Sequence, residues 1–377
     1  MAKIRILIVD DSVVIRRLVS NCLAQDPEIE VVGNAANGQI GLAKIAQVNP
    51  DLVTLDMEMP VMDGLQTLAA IRKTHPRLPV IIFSKLTERG AGITLDALAL
   101  GANDYVTKPA NVGGVNAAME QIRNELIPRI KWLCRRAPTT SAMAPPRPEA
   151  EVRKPVALRP TALPRPEILA IGVSTGGPNA LSAMLPGLAG NFPVPIVIVQ
   201  HMPALFTRLL AERLAALSAF PAREGEAGAL LRPGEIWLAP GGFHMEVTRA
   251  PDGVRLRTHQ GPPENSCRPA ADVLFRSVAQ VFGPRSLAVV LTGMGQDGLR
   301  GCESIRAAGG QVLAQDEASS VVWGMPGAVS QAGLAEKVLP LDQLAAEINR
   351  RVQAGSPRAG SLKPPDVPIE ASIVRAS

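Results

Sequence analysis

Ser174 lies on a glycine-flanked stretch, Gly172-Val173-Ser174-Thr175-Gly176-Gly177-Pro178, between the apolar run Ile168–Ile171 and a helix-like pattern from Ala180 to Leu185. Many hydrolases expose a nucleophile this way, on a tight turn between a strand and a helix. Gly172 and Gly176 would allow the sharp turn, since glycine takes backbone angles that other residues resist. A plainer alternative is a helix start at which Ser174 or Thr175 serves as N-cap.

A serine nucleophile needs a base, an orienting carboxylate and donors for an oxyanion. The chain has four histidines. His75, between Thr74 and Pro76, reads as exposed, and nothing around His259 suggests chemistry. His201 directly follows the apolar run Val194–Gln200, at the strand end where open α/β sheets keep their functional groups. His244, in Pro240-Gly241-Gly242-Phe243-His244, is its competitor, and edge placement favours His201. Asp297 is the one acid of a glycine-rich loop, Leu291–Gly298, that follows another apolar run. Such loops also bind phosphate, but this one lacks the P-loop lysine and the G-x-G-x-x-G spacing. Backbone amides near Met294 and at Thr175 could hold the oxyanion.

A second group stands in the first third of the chain. Asp10 and Asp11 follow one strand-like run and Asp56 another, so a doubly wound sheet would gather all three at one edge. Clustered carboxylates repel, which makes sense if they hold a hard divalent cation such as Mg²⁺. Asp56 could then attack a phosphoryl group, with Ser84 donating to a phosphoryl oxygen and Lys108 supplying a cation. Taken singly, these residues read as helix caps and an ordinary surface lysine. Together, each at a strand end, they favour a site.

The elements that must position both groups are read from periodicity. Strands are expected at 4–9, 30–33, 52–55, 80–83 and 104–106, with helices at 12–24, 38–47 and 113–133. Alternation resumes after Glu167, with strands at 194–200, 235–239, 255–258, 287–291 and 311–314 and a helix at 205–217. This order predicts an α/β chain of two doubly wound parallel-sheet domains. Between them, residues 137–166 turn to Pro, Ala, Arg and Thr, a linker composition, and the last stretch from 355 loses periodicity.

Bulk properties narrow the function. The segment 135–166 carries a net charge of +5, equal to the formal excess of the whole chain. The basic pI is thus a property of the linker, and residues 167–350 show no basic recognition helix, so no nucleic-acid partner is expected. Cys22, Cys134, Cys267 and Cys302 are too scattered for a metal site. With no signal-peptide pattern and no membrane-length apolar stretch, a cytoplasmic location without membrane insertion is expected.

Residues 3–125 resemble the receiver domain of two-component response regulators, on Asp10-Asp11, Asp56, Met59-Pro60-x-x-Asp63-Gly64, Ser84, Gly101-Ala102-x-Asp104-Tyr105 and Lys108-Pro109. That resemblance implies Mg²⁺-dependent phosphorylation of Asp56 by a histidine kinase. It also implies that the Glu58 carbonyl completes the metal site and that Tyr105 reorients together with Ser84. Residues 167–350 resemble the methylesterase domain of the CheB family. The matching segments are Gly172–Pro178, Val199–Met202, Leu238–Met245, Arg268–Phe275, Leu291–Gly298 and Val321–Pro326.

The second resemblance implies a triad of Ser174, His201 and Asp297, an oxyanion hole near Thr175 and Met294, and no cofactor for the ester chemistry. Substrates would be methylglutamates, and glutamines, of methyl-accepting chemoreceptors, with the unphosphorylated receiver covering the site. Expected units are a receiver at 1–125, a helix end and linker at 126–166, the catalytic domain at 167–354 and a tail at 355–377. A fusion that binds without hydrolysis is the rival reading, disfavoured by the intact triad.

Overall fold

The structure, a computed structural model, describes residues 3–109, 114–134 and 164–353. The expected tail and nearly all of the Pro/Arg-rich linker lie outside the described residues.

The first half runs β1 (Ile4–Val9), α1 (Val13–Leu23), β2 (Ile29–Ala35), α2 (Gly38–Val48), β3 (Leu52–Asp56) and α3 (Gly64–Thr74). It continues with β4 (Val80–Ser84), α4 (Glu88–Ala99), β5 (Asp104–Thr107) and α5 (Gly114–Cys134). Its five strands pair in parallel in the order β2-β1-β3-β4-β5. Every residue of β3 and β4 is buried, which is why they read as unbroken apolar runs. Short polar side chains set the helix starts. Asp63 and Gln66 form a reciprocal capping box on α3, and Thr87 caps α4.

The second half contains β6 (Ile168–Val173), α6 (Gly177–Met184), β7 (Ile196–Gln200), α7 (Ala204–Leu217), β8 (Ala222–Glu224) and β9 (Ile236–Leu238). There follow β10 (His244–Ala250), β11 (Gly253–His259), α8 (Ala271–Phe282), β12 (Ser286–Val290) and α9 (Leu299–Ala307). The last elements are β13 (Gln311–Gln315), α10 (Met325–Gln331), β14 (Lys337–Leu339) and α11 (Leu341–Gln353). Seven strands form one parallel sheet in the order β14-β13-β12-β6-β7-β9-β8. The strand order reverses between β6 and β12, and at such a switch point the loops beyond the strand ends part to leave a crevice.

One expectation is corrected here. The segment 255–258 does not join the parallel sheet but belongs to β11, which pairs antiparallel with β10 in a separate ribbon. Its residues alternate, Leu256 buried between the more exposed Arg255 and Arg257, which is the pattern of a ribbon covered on one face.

The halves pack against each other. One buried apolar cluster includes Ala91, Leu95 and Leu98 of α4 together with Leu181 of α6 and Phe206 and Leu210 of α7. Tyr105 stacks on Phe206 with ring centroids 4.7 Å apart, and Asn179 Nδ2 donates to the Leu98 carbonyl at 2.6 Å. Two ion pairs, Arg208–Glu88 and Arg213–Asp96, lie at the rim. Exposed pairs of this kind are screened and add little, so apolar burial carries the contact.

Candidate active site

Ser174 follows the last residue of β6. Its amide donates to the Thr292 carbonyl at 3.0 Å, and its carbonyl accepts from Gly177 N at 2.8 Å and Gln200 Nε2 at 3.0 Å. Its backbone is therefore tied to the loops after β7 and β12. Gly176, not Ser174 or Thr175, is the N-cap residue of α6, and no side chain caps that helix, which removes the capping alternative. Gly176 does take a positive φ of 76°. Gly172 does not: it sits in the strand, where a Cβ would come within 2.9 Å of Ala271 Cβ. Its role is close packing of α8 against the sheet.

His201 follows β7, and its Nε2 lies 2.7 Å from Asp297 Oδ2. The Asp297 carboxylate also accepts from Ala271 N at 2.6 Å and Asp272 N at 3.1 Å, the first amides of α8, and from Asn265 Nδ2 at 2.9 Å. Burial works against its charge, but the His201 bond and these amides prevail and hold its pKa below the usual carboxylate value. For His201, burial opposes protonation, yet the bond to Asp297, with Cys267 beside it, raises the imidazole to about 10. With Nε2 on Asp297, the second nitrogen, Nδ1, faces Cys267 Sγ at 3.6 Å. Among the described residues no hydrogen bond joins Ser174 Oγ to His201. The structure thus brings His201 and Asp297 together and leaves Ser174 and His201 unbonded.

His244 is accounted for by structure. Its Nδ1 lies 3.3 Å from Ala270 N, a donor, so Nε2 carries the proton and donates to the Pro262 carbonyl at 3.0 Å. Buried and bonded at both nitrogens, it holds the loop ahead of α8. His75 is half-buried at the end of α3, and His259 Nε2 stands 3.5 Å from Glu246. Thr175 and Met294 lie on loops joined by Thr292, whose Oγ1 donates to the Thr175 carbonyl at 2.9 Å. Among the described residues neither the Thr175 nor the Met294 amide makes a backbone hydrogen bond.

Sequence reasoning passed over two contacts at this site. Asn265 touches Asp297, and Cys267 touches His201. Neither belongs to a motif with a mechanical signature, and Asn265 is exposed overall, so only the fold identifies them.

The first half closes over the serine. Thr175 Oγ1 donates to Asp104 Oδ2 at 2.8 Å, and Arg129 Nε donates to the same oxygen at 3.0 Å. The gap that Asp104, Tyr105 and Arg129 leave against Ser174, Thr175 and His201 is about 20 Å³, room for a water and no larger ligand. Beside it a cavity of about 280 Å³ opens between the halves onto His201 and Cys267.

In the first half, ligand oxygens of Asp10, Asp11 and Asp56 lie within 4.8 Å of one another. Lys108 Nζ stands 2.8 Å from Asp10 Oδ2 and 2.9 Å from Asp56 Oδ2. Both oxygens are buried and meet the ammonium by charge rather than in hydrogen-bond directions. Burial raises the Asp56 carboxyl to about 6, against the pull of Lys108 and with the push of Asp10. One ammonium among three carboxylates leaves negative charge on hard oxygen donors, so the residues fit a small divalent cation. Ser84 Oγ is turned away, 2.6 Å from Thr94 Oγ1 and 3.3 Å from the Gly90 carbonyl. Glu58 pairs its carboxylate with Lys85 at 2.6 Å. Tyr105 lies in the contact with Phe206. Among the described residues no helix is long and apolar enough to cross a membrane.

The family described as CheB methylesterase matches residues 169–348, and that of the response regulator receiver domain matches residues 6–120. A protein-glutamate methylesterase/protein-glutamine glutaminase of Trichodesmium erythraeum is 56% identical across 93% of this chain and all of its own length. One from a Nocardioides species is 55% identical across 96% of this chain and all of its own. The crystal structure of the Thermotoga maritima CheB methylesterase catalytic domain is 39% identical, with a TM-score of 0.48 over 49% of this chain and 98% of that one.

Proposed function

The chain belongs to the CheB methylesterase family and carries a response regulator receiver domain ahead of the esterase, and on that premise we propose a phosphorylation-controlled protein-glutamate methylesterase and protein-glutamine glutaminase that acts on chemoreceptors through Ser174, His201 and Asp297. Its working units are a receiver at 1–125 and a catalytic domain at 167–354, joined by residues 126–166. The observation that carries the residue assignment is the 2.7 Å His201–Asp297 bond at the switch-point crevice that Ser174 borders.

The chemistry follows from the geometry. Asp297 holds Nε2, so Nδ1 is the nitrogen that takes the Ser174 proton as Oγ attacks the γ-carbonyl of a methylglutamate. The amides of Thr175 and Met294 hold the tetrahedral oxyanion. His201 returns its proton to the leaving methoxide, and methanol departs. Water, activated by the same nitrogen, then releases glutamate from the acyl-enzyme. A receptor glutamine follows the same path and releases ammonia.

Control lies in the first half. Asp56 accepts the phosphoryl group from a histidine kinase of the chemotaxis pathway. Mg²⁺, held by Asp10, Asp11 and Asp56 with the Glu58 carbonyl, would offset the charge that gathers there. Ser84 leaves Thr94 to meet the phosphoryl group, Lys108 pairs with it, and Tyr105 shifts with Ser84. That movement alters the α4–β5 face, which now rests on α6 and α7, and uncovers Ser174.

The test is methanol release from methylated receptor by the full chain, with and without acetyl phosphate and Mg²⁺. Wild type should respond to the donor, Asp56→Asn should not, and Ser174→Ala should release no methanol. Release by Ser174→Ala at the wild-type rate overturns the assignment.

A further inference from the structure

Residues Glu264–Cys267 form a closed turn beside the histidine and the aspartate. Glu264 N donates to the Cys267 carbonyl at 3.0 Å, and Cys267 N donates to the Glu264 carbonyl at 2.8 Å. The two central residues, Asn265 and Ser266, have φ of 52° and 63°. Two successive left-handed residues make a primed turn, which glycine and asparagine accept more readily than serine. The turn is anchored from outside, since Arg276 of α8 grips the Glu264 carboxylate with two bonds of 2.6 Å.

From this anchored frame one side chain reaches each partner. Asn265 Nδ2 donates to Asp297 Oδ1 at 2.9 Å and to Asp272 Oδ2 at 2.8 Å. Cys267 Sγ lies 3.6 Å from His201 Nδ1. Asp272 Oδ1 is fixed by Gly301 N at 2.7 Å, so Asn265 is the bridge between a carboxylate tied to α9 and the one that holds the histidine. A primary amide is the short side chain that presents two N–H donors to two carboxylates without adding charge. Backbone conformation and side-chain chemistry thus ask for asparagine independently.

We propose that the Glu264–Cys267 turn is the positioning device of the His201–Asp297 pair, with Asn265 the residue that fixes the rotation of the Asp297 carboxylate. The inference rests on the assignment of that pair in the proposed function. Asn265 is a positioning residue: it acts through Asp297 and touches no reacting atom. If Asn265 is lost, Oδ1 keeps a single amide, that of Asp272, and the carboxylate faces a second one with nothing between them.

Asn265→Gly is the informative variant, because glycine suits a φ of 52° and removes only the amide. In the full chain with acetyl phosphate and Mg²⁺, kcat for methanol release should fall about 10- to 100-fold, the usual effect of removing such a supporting bond. KM should stay within about twofold, because a positioning loss acts on the transition state and not on substrate binding. Asn265→Asp keeps a left-handed-tolerant residue but adds a third carboxylate, and should fall further. The His201 Nε2–H proton, read by NMR in the same samples, should be present in wild type and broadened away in Asn265→Gly.

A kcat within twofold of wild type, with that resonance unchanged, overturns the proposal, as does an effect confined to KM. Ser174→Ala runs alongside. If it keeps wild-type activity, the assignment of the nucleophile fails, and the NMR comparison alone decides the role of the turn: loss of the resonance upholds it, persistence overturns it.

Discussion

The Asp104 carboxylate of β5 accepts a hydrogen bond from Thr175, the residue next to Ser174, at 2.8 Å. A receiver strand and the Ser174 loop are thereby one bond apart. Arg129 holds the same oxygen, so the carboxylate is aimed and not merely nearby. A hydrogen bond to a charged group is worth about 1.5–3 kcal/mol, and 1.4 kcal/mol is tenfold in an equilibrium.

Asp104→Ala should therefore raise methanol release by the unphosphorylated chain about tenfold or more. Arg208→Ala, which removes exposed ion pairs with Glu88 and Glu212, should change it by less than twofold. Steady-state rates without phosphoryl donor separate the two. Equal effects would mean that the Asp104 bond holds the halves together no better than an exposed rim pair does.

The docked form should be limited by its base. His201 is raised to about 10, so as the proposed base it would be an imidazolium at neutral pH, unable to take the Ser174 proton. Unphosphorylated activity should climb as pH rises toward 10, and the activated chain should climb over the same range, because Asp297 and Cys267, which raise the imidazole, stay with it when the halves part. The linkage has a definite sign. A raised histidine contributes stability in full below its ordinary value near 6.5 and loses it as pH rises through about 10. Rate–pH profiles of wild type with and without acetyl phosphate test this, and a rate that stays flat from about pH 7 to about 10 would refute it.

Asp56 carries the same sign in a lower pH window. Its carboxyl is raised from 3.8 to about 6, so the folded chain binds more protons than the unfolded chain between those values. Stability from this group is greatest at low pH, falls as pH rises through about 6, and is at its lowest above that. Asp56→Asn should be more stable than wild type at pH 7 by about 1–3 kcal/mol, with the difference vanishing near pH 4. Urea denaturation at both pH values, without Mg²⁺, measures it.

Cys267 is the thiol to watch. Burial pushes Cys22 up, raises Cys134 to about 12 and raises Cys302 well above its usual value, so those three react slowly. Cys267 instead lines the cavity shared with His201. Iodoacetamide should inactivate wild type by placing a carboxamidomethyl group against Nδ1, and whatever activity Cys267→Ala has should resist the reagent. Equal inactivation of both, followed by mass spectrometry of the labelled peptide, would point to another thiol.

Much of this was legible in the sequence because parallel α/β folds announce themselves. Runs such as Ile168–Ile171 and Leu287–Val290 are buried on both faces and so appear as unbroken apolar strings, with the functional loops directly after them. The ribbon strand beginning at His244 is hidden because it starts directly after Gly241-Gly242, which reads as a turn. The spacing of Gly172 suggests a turn conformation, whereas its lack of a side chain serves packing against Ala271. Which imidazole nitrogen faces Asp297, and which residue lies at the other, depends on loops from 201, 265 and 297 meeting in space. No local pattern encodes such a meeting.

The buried cluster that runs from Leu95 and Leu98 into Leu181, Phe206 and Leu210 also has a bearing on time. Separating the halves wets this surface, and oily faces in water close again quickly. On the proposed function, an uncovered esterase would be a short-lived, adhesive species that either meets a receptor or folds shut. The adaptation signal would fade with the acyl phosphate instead of needing a separate step to switch it off.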